Sequence, residues 1–180
     1  MRRRLLASGA ASMFACALAC AGCSDGTDGA ISVRWRIVDL TTGANYDPRL
    51  QVFPAGALDA AGVPFPPGSC GCLADGTPGG CAGSGPGWEI DLVRLLIVDP
   101  EDPTVVPIDP EKAKFLCNQR EATTPFQIKP GRYALSLASF TVAGGVETRT
   151  GATPAPTVRT IKQAEIVNLD VVEIGVHSIP

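Results

Sequence analysis

Histidine is nearly absent from this sequence. The only one is His177, three residues from the end of the chain. A catalytic histidine needs a nucleophile or a carboxylate placed beside it. The chain contains neither a Gly-x-Ser-x-Gly nor a His-Glu-x-x-His motif that would supply such partners. We therefore interpret His177 as a surface residue.

Two further absences narrow the function. A membrane-spanning helix needs about 20 apolar residues, whereas the most apolar run, residues 5–19, is shorter and rich in alanine. The glycine-rich residues 83–87 are followed by a strand pattern, and no Lys-Ser or Lys-Thr pair completes a phosphate-binding loop. We expect neither a spanning helix nor a nucleotide phosphate site.

The N-terminus has the layout of a secretory signal. Arginines at positions 2–4 precede the apolar residues 5–19, which end in Cys20-Ala21-Gly22-Cys23. These four residues resemble the lipobox of bacterial lipoproteins, although Cys20 stands where that family prefers leucine. The resemblance implies cleavage before Cys23 and acylation of Cys23, which would hold the protein on a membrane. An ordinary signal peptide, cleaved at a small-x-small site, is the alternative.

The resemblance also sets the expected domains and location. We expect a helical signal peptide at residues 1–22, a flexible Ser/Asp/Gly/Thr tether at 23–30 and one domain at 31–178. The predicted location is the cell envelope. The outer membrane is favoured, because Ser24 rather than aspartate follows Cys23.

The charge of the mature chain excludes one class of partner. Loss of the three arginines leaves 12 basic against 18 acidic residues, a net charge of about −6. Nucleic-acid binding needs a basic surface, so we expect none. The expected partners are the membrane, through the N-terminal lipid, and an envelope protein or a glycan.

The fold is predicted from alternating apolar residues. Residues 31–37, 133–138 and 166–171 alternate with period two, which is typical of half-buried strands, and Gly/Pro turns separate such segments. Residues 88–98 are apolar on both phases, as in a central strand or one bulged near Val93. Ala143-Gly144-Gly145 predicts a hairpin turn. We expect an all-β, antiparallel sandwich of about seven to nine strands.

One strand carries a second resemblance. Pro130-Gly131-Arg132-Tyr133, followed by alternating leucines, is similar to the segment before a core strand in prealbumin-like and immunoglobulin-like sandwich domains. The tyrosine in such a strand bonds its hydroxyl back to the preceding corner. Over residues 31–176 the chain is similar to exported single-domain sandwich lipoproteins, whose functions do not transfer.

A long loop holds most of the remaining cysteines. Residues 54–87 are rich in Gly, Pro, Ala and Ser and include Cys70, Cys72 and Cys81, while Cys117 lies further on. Exported cysteines meet an oxidising compartment, so we expect two disulfides. A Cys70–Cys72 bridge would close a strained ring, which favours Cys117 paired with Cys70 or Cys72 and Cys81 with the other. A Cys81–Cys117 bond and a zinc site are the alternatives.

Two other groups of residues are candidate sites. The carboxylates of Asp99, Glu101 and Asp102, with Asp109 and Glu111, lack the spacing of a calcium loop, and we interpret them as solvated turn residues. Trp35 and Trp88 fall on the apolar phases of their strands. We expect both rings to pack in the core rather than to stack on sugars.

The expected function follows from these observations. The sequence predicts a non-enzymatic, membrane-anchored envelope lipoprotein with a structural or interaction role, with no cofactor and with the loop at 54–87 as its partner surface. A carbohydrate- or peptide-binding module is the first alternative and would need exposed aromatic residues. A hydrolase is the second and would need buried titratable groups gathered in one pocket.

Overall fold

The computed structural model describes residues 27–41, 43–59, 62–72, 87–152 and 154–176, which form an all-β sandwich, as predicted. The predicted signal peptide, Cys23, Cys81 and His177 lie outside the described residues. The strands are β1 (Ala30–Asp39), β2 (Asn45–Tyr46), β3 (Cys70–Cys72), β4 (Trp88–Ile90), β5 (Leu92–Val98), β6 (Lys114–Leu116), β7 (Glu121–Thr123), β8 (Gly131–Ala143), β9 (Val146–Thr150), β10 (Thr157–Ile161) and β11 (Ile166–Val176). Within these ranges the helical elements are 3₁₀ turns, and none is long and apolar enough to cross a membrane.

The first sheet is built around β1. Its order is β11-β1-β2, and β7 also pairs directly with β1, at Ser32–Arg34 rather than at the Ile37–Val38 positions that pair with β2. The alternation predicted for residues 31–37 is confirmed, since Ile31, Val33, Trp35 and Ile37 are fully buried. Arg34 and Arg36, on the opposite phase, reach Glu121 and Glu173 on the outer face. One face of β1 therefore enters the core, while the other carries ion pairs.

The second sheet is built around β8. Its order is β10-β8-β5-β6, and β9 pairs with the far half of β8. Tyr133 donates its hydroxyl hydrogen bond to the Lys129 carbonyl at 3.0 Å, so the predicted tyrosine corner is confirmed. The hairpin predicted at Gly144-Gly145 is also present. Both glycines have positive φ, as a tight two-residue turn between β8 and β9 requires.

Two features differ from the expected antiparallel sandwich of seven to nine strands. β1 and β11 pair in parallel, from Ala30 with Ile166 to Asp39 with Val176. Parallel neighbours need a long crossover, and here the rest of the sandwich forms that connection. The described residues also form eleven strands rather than nine at most, because several segments are only two or three residues long.

The predicted strand at 88–98 is broken at Asp91. Trp88 and Ile90 are buried on one phase, whereas Val93, Leu95 and Ile97 are buried on the other. Before the break β4 pairs with β3, and after it β5 pairs with β8 and β6. The chain thus passes from a small two-stranded sheet into the second large sheet, and the phase change predicted near Val93 occurs at Asp91.

The sandwich has two distinct ends. The N-terminal end carries Asp28, residues 124–131 and the turn at 162–165, because Gly29 bonds to Ile128 and Ala30 bonds to Glu165. The loop end carries residues 54–72 and the β8–β9 hairpin. β8, with 13 residues, connects the two ends and is about 40 Å long at roughly 3.3 Å per residue.

The turn between β10 and β11, at the N-terminal end, contains an alanine whose backbone conformation can be tested by substitution. Ala164 is exposed and has φ of +53°, a left-handed conformation that is unfavourable for alanine. We expect Ala164→Gly to raise the free energy of unfolding by about 0.5–1 kcal/mol, measured by urea denaturation. Ala155→Gly, at an exposed position without positive φ, is the control and should be neutral or destabilising. Destabilisation by Ala164→Gly would contradict the assigned turn.

Candidate functional site

One of the predicted disulfides is present at the loop end. Cys70 on β3 and Cys117, at the start of the 3₁₀ turn Cys117–Gln119, form a disulfide with Cα atoms 5.7 Å apart. Both residues are fully buried. Among the pairings left open by the sequence, the structure selects Cys70 for Cys117. Cys72 is disulfide-bonded as well, to a partner outside the described residues.

The disulfide fastens the β3–β4 pair to the edge of the second sheet. Next to it, Asn118 donates its backbone hydrogen bond to the Gly68 carbonyl at 3.2 Å. Trp35 donates its indole hydrogen bond to the Cys117 carbonyl at 3.0 Å, which connects the bonded cysteine to the core of the first sheet. The disulfide therefore lies where β3, the second sheet and the core meet.

Aromatic packing holds the first part of the loop. The rings of Phe53 and Phe65 stack with centroids 3.8 Å apart, and Gly71 donates its backbone hydrogen bond to the Gln51 carbonyl. A Cβ atom at Gly71 would meet the Phe53 ring and would lie 2.5 Å from the Trp88 carbonyl oxygen. The residue between Cys70 and Cys72 must therefore be glycine for the loop to close over β4.

Asp91, at the break between β4 and β5, is the buried polar residue that organises this end. Only 1% of its surface is exposed. One carboxylate oxygen accepts a hydrogen bond from the Ser69 hydroxyl, and the other accepts one from the Val142 backbone at 2.6 Å. Its backbone also bonds to Phe140 and to Cys117. One side chain thus connects the loop, β8 and the disulfide-bonded turn.

Glu89 forms a carboxyl pair with Asp91. Burial, the charge of Asp91, a hydrogen bond to Asp91 and the charge of Asp59 together raise the pKa of Glu89 from its ordinary value of 4.5 to about 7. A hydrogen bond that raises a carboxyl pKa is one that favours the protonated form. Glu89 therefore holds its proton to a higher pH than an exposed glutamate does.

A cavity lies beside this pair. It has a volume of about 200 Å³ and is lined by Asp59, Glu89, residues 63–66 of the loop and residues 141–144 of the β8–β9 hairpin. A carboxyl group with a pKa near 7 is suited to general acid–base chemistry. Asp91, in contrast, has a structural partner on each of its oxygens.

The remaining candidates lie apart from this cavity. Trp35 and Trp88 are buried, as predicted, and Trp88 packs against Tyr46 with ring centroids 5.6 Å apart. Asp99 and Asp102 accept backbone hydrogen bonds within their own turns. Across the described ranges, no group of three or more His, Cys, Asp or Glu side chains is placed to hold a metal ion.

The sequence interpretation missed the carboxyl pair. The carboxylates considered from the sequence lie between residues 99 and 111, and they do not include Glu89 or Asp91. The available signal was an aspartate at the point where the most apolar segment changes phase. A charged residue inside such a run is buried only when it is well paired.

The disulfide should contribute measurably to the stability of the fold. Its cysteines are 47 residues apart in sequence, and closing a loop of that length stabilises the fold by about 4 kcal/mol in the chain-entropy model. We expect the double variant Cys70→Ala/Cys117→Ala to lose about that free energy of unfolding, measured by urea denaturation without reductant. A loss below about 1 kcal/mol would contradict the structural role.

The Glu89–Asp91 carboxyl pair should make the stability of the protein depend on pH. Because the pKa of Glu89 is raised, the folded state binds this proton more tightly than the unfolded state does. The proton therefore stabilises the folded state at low pH, and that contribution to the free energy of unfolding is lost as the pH rises from about 4.5 through about 7. Glu89→Gln keeps a donor to Asp91 without the charge. We expect it to match the unsubstituted protein near pH 4.5 and to exceed it by roughly 1 kcal/mol at pH 8, a value reduced for solvent screening.

Melting temperatures between pH 4.5 and 8 measure this difference. Glu101→Gln is the matched control, because it makes the same change of side chain at an exposed position in a turn. Equal pH dependence in the two variants would contradict the pairing of Glu89 with Asp91.

Comparisons of the chain with models of protein families, with curated proteins and with solved structures found no match.

Proposed function

We propose that this chain is an exported lipoprotein of the cell envelope, anchored by acyl chains on Cys23, and that its loop end is a non-catalytic interaction surface. The observation that carries the proposal is the buried disulfide between Cys70 and Cys117. Disulfides form and persist in oxidising compartments outside the cytosol. The lipobox-like Cys20-Ala21-Gly22-Cys23 supplies the matching export signal.

The geometry of the loop end supports a binding role. The disulfide, the Phe53–Phe65 stack and the hydrogen bond from Ser69 to Asp91 hold residues 62–72 against the sandwich. A surface that is ordered before binding loses less conformational entropy when a partner arrives. The same segment exposes Val63, and the neighbouring hairpin exposes Val146. Apolar contacts are therefore available to an envelope protein.

A carbohydrate-binding module is less well supported. Sugar recognition by stacking needs exposed aromatic faces, and both tryptophans are buried. Phe65 is half-buried against Phe53. The loop end thus offers carboxylates and aliphatic side chains, which suit a peptide surface better than a sugar ring.

A hydrolase is the second candidate, and the Glu89–Asp91 pair beside the cavity is the observation that favours it. Such a pair could donate and accept a proton during bond cleavage. A panel of chromogenic glycosides and esters, assayed from pH 5 to 8, tests this role. Hydrolysis that is lost in Glu89→Gln would support the enzyme, whereas the lipoprotein proposal expects none.

Mass spectrometry of the unreduced protein from the membrane fraction tests the main proposal. We expect an acyl mass on Cys23 that disappears in Cys23→Ser, and a cross-linked peptide containing Cys70 and Cys117. An acylated Cys23 has no thiol to pair, so Cys72 should be linked to Cys81. An unmodified N-terminal peptide that begins elsewhere would contradict the anchor, and a free Cys81 thiol would contradict the second disulfide.

A further inference from the structure

We propose that the N-terminal end of the sandwich rests on the bilayer, with Phe126 at the membrane–water interface, and that the loop end faces away from the membrane. This orientation rests on the proposed acylation of Cys23. It adds to that function a defined contact surface for lipid and a defined direction for the partner.

The length of the connecting chain carries the argument. Five residue steps separate Cys23 from Asp28, which lies at the N-terminal end of the sandwich. Whatever its conformation, a chain spans at most about 3.3–3.6 Å per residue, so these steps cover at most about 18 Å. The sandwich is longer than this, because β8 alone extends about 40 Å. An orientation with the loop end on the membrane is therefore excluded.

Exposed apolar side chains at the N-terminal end supply the lipid contact that an end-on orientation needs. Phe126 is 39% exposed and Ile166 is 46% exposed. Segment 124–128 is held in place, because Thr124 and Ile128 donate backbone hydrogen bonds to Ile31 and Gly29 at 2.9 and 3.2 Å. Phe126 thus projects from a fixed part of the fold. Aromatic and aliphatic side chains of peripheral proteins occupy the interface in this way.

The charges at this end allow such a contact without requiring anionic lipid. Exposed Lys129 and Lys162 are accompanied by half-buried Asp28 and Glu165 and by Asp99 at the end of β5. Burial raises the pKa of Tyr133, and the charges of Asp99 and Asp28 raise it further, which places these two carboxylates near the start of β8. Because the basic groups do not outnumber the acidic ones, the contact should form on zwitterionic lipid and should gain nothing from anionic lipid.

The orientation has a consequence for the partner. Asp59, Val63 and the β8–β9 hairpin lie at the loop end, the far end of β8, roughly 40 Å from Gly131. They face the space beyond the membrane rather than the lipid. A partner of the loop end is therefore a protein that stands away from the anchoring bilayer.

Tryptophan quenching tests the orientation in the full-length acylated protein. Three single variants place a fluorophore at increasing distance from the anchor: Phe126→Trp at the N-terminal end, Val171→Trp in the middle of β11 and Val146→Trp in the β8–β9 hairpin. Each is inserted through its acyl chains into phosphatidylcholine vesicles that contain a headgroup nitroxide lipid. The signal of the unsubstituted protein, with its two buried tryptophans, is subtracted.

We expect quenching to be severalfold stronger for Phe126→Trp than for Val146→Trp, with Val171→Trp between them and with no gain from anionic lipid. Equal quenching at the three positions, or the strongest quenching at Val171 or Val146, would overturn the orientation. The masses of the same samples report acylation of Cys23 separately. Vesicle-bound protein with acylated Cys23 and the wrong order of quenching refutes the orientation alone, whereas an unmodified Cys23 refutes the anchor on which it rests.

Discussion

The burial of one carboxylate, that of Asp91, is the constraint on which the loop end depends. A carboxyl group out of water is tolerated only when hydrogen bonds replace its hydration, and here Ser69 and the backbone of Val142 supply them. Those partners belong to the loop and to β8, so the requirement of one side chain fixes the relative position of three segments. The change of strand pairing between β4 and β5 occurs at this residue for the same reason.

The disulfide and the carboxylate act on the same junction in different ways. The bond between Cys70 and Cys117 limits the unfolded chain, whereas Asp91 specifies how the folded segments meet. Asp91 also bonds through its carbonyl to the backbone of Cys117, so the two constraints share a residue. A loop poor in large apolar residues has little core of its own. Covalent and polar contacts therefore replace the packing that holds the rest of the sandwich.

The sequence predicted features that depend on neighbours along the chain. The alternation in β1 and β8, the glycine hairpin and the Tyr133 corner all involve residues a few positions apart, and all are present. Features that depend on distant residues were missed or left open. Asp91 meets Ser69 and Val142 at separations of 22 and 51 residues, and Arg36 meets Glu173 at 137. Periodicity describes which face of a strand is buried, but it does not identify the strand that pairs with it.

The parallel pairing of β1 with β11 has a mechanical consequence. The two strands run side by side from the N-terminal end towards the loop end, from Ala30 with Ile166 to Asp39 with Val176. A pull applied to the start of β1 and to the end of β11 acts along this ladder. Its hydrogen bonds are then loaded together in shear instead of being opened one after another. The first and last of the described strands thus form a clamp that resists extension along the length of the sandwich.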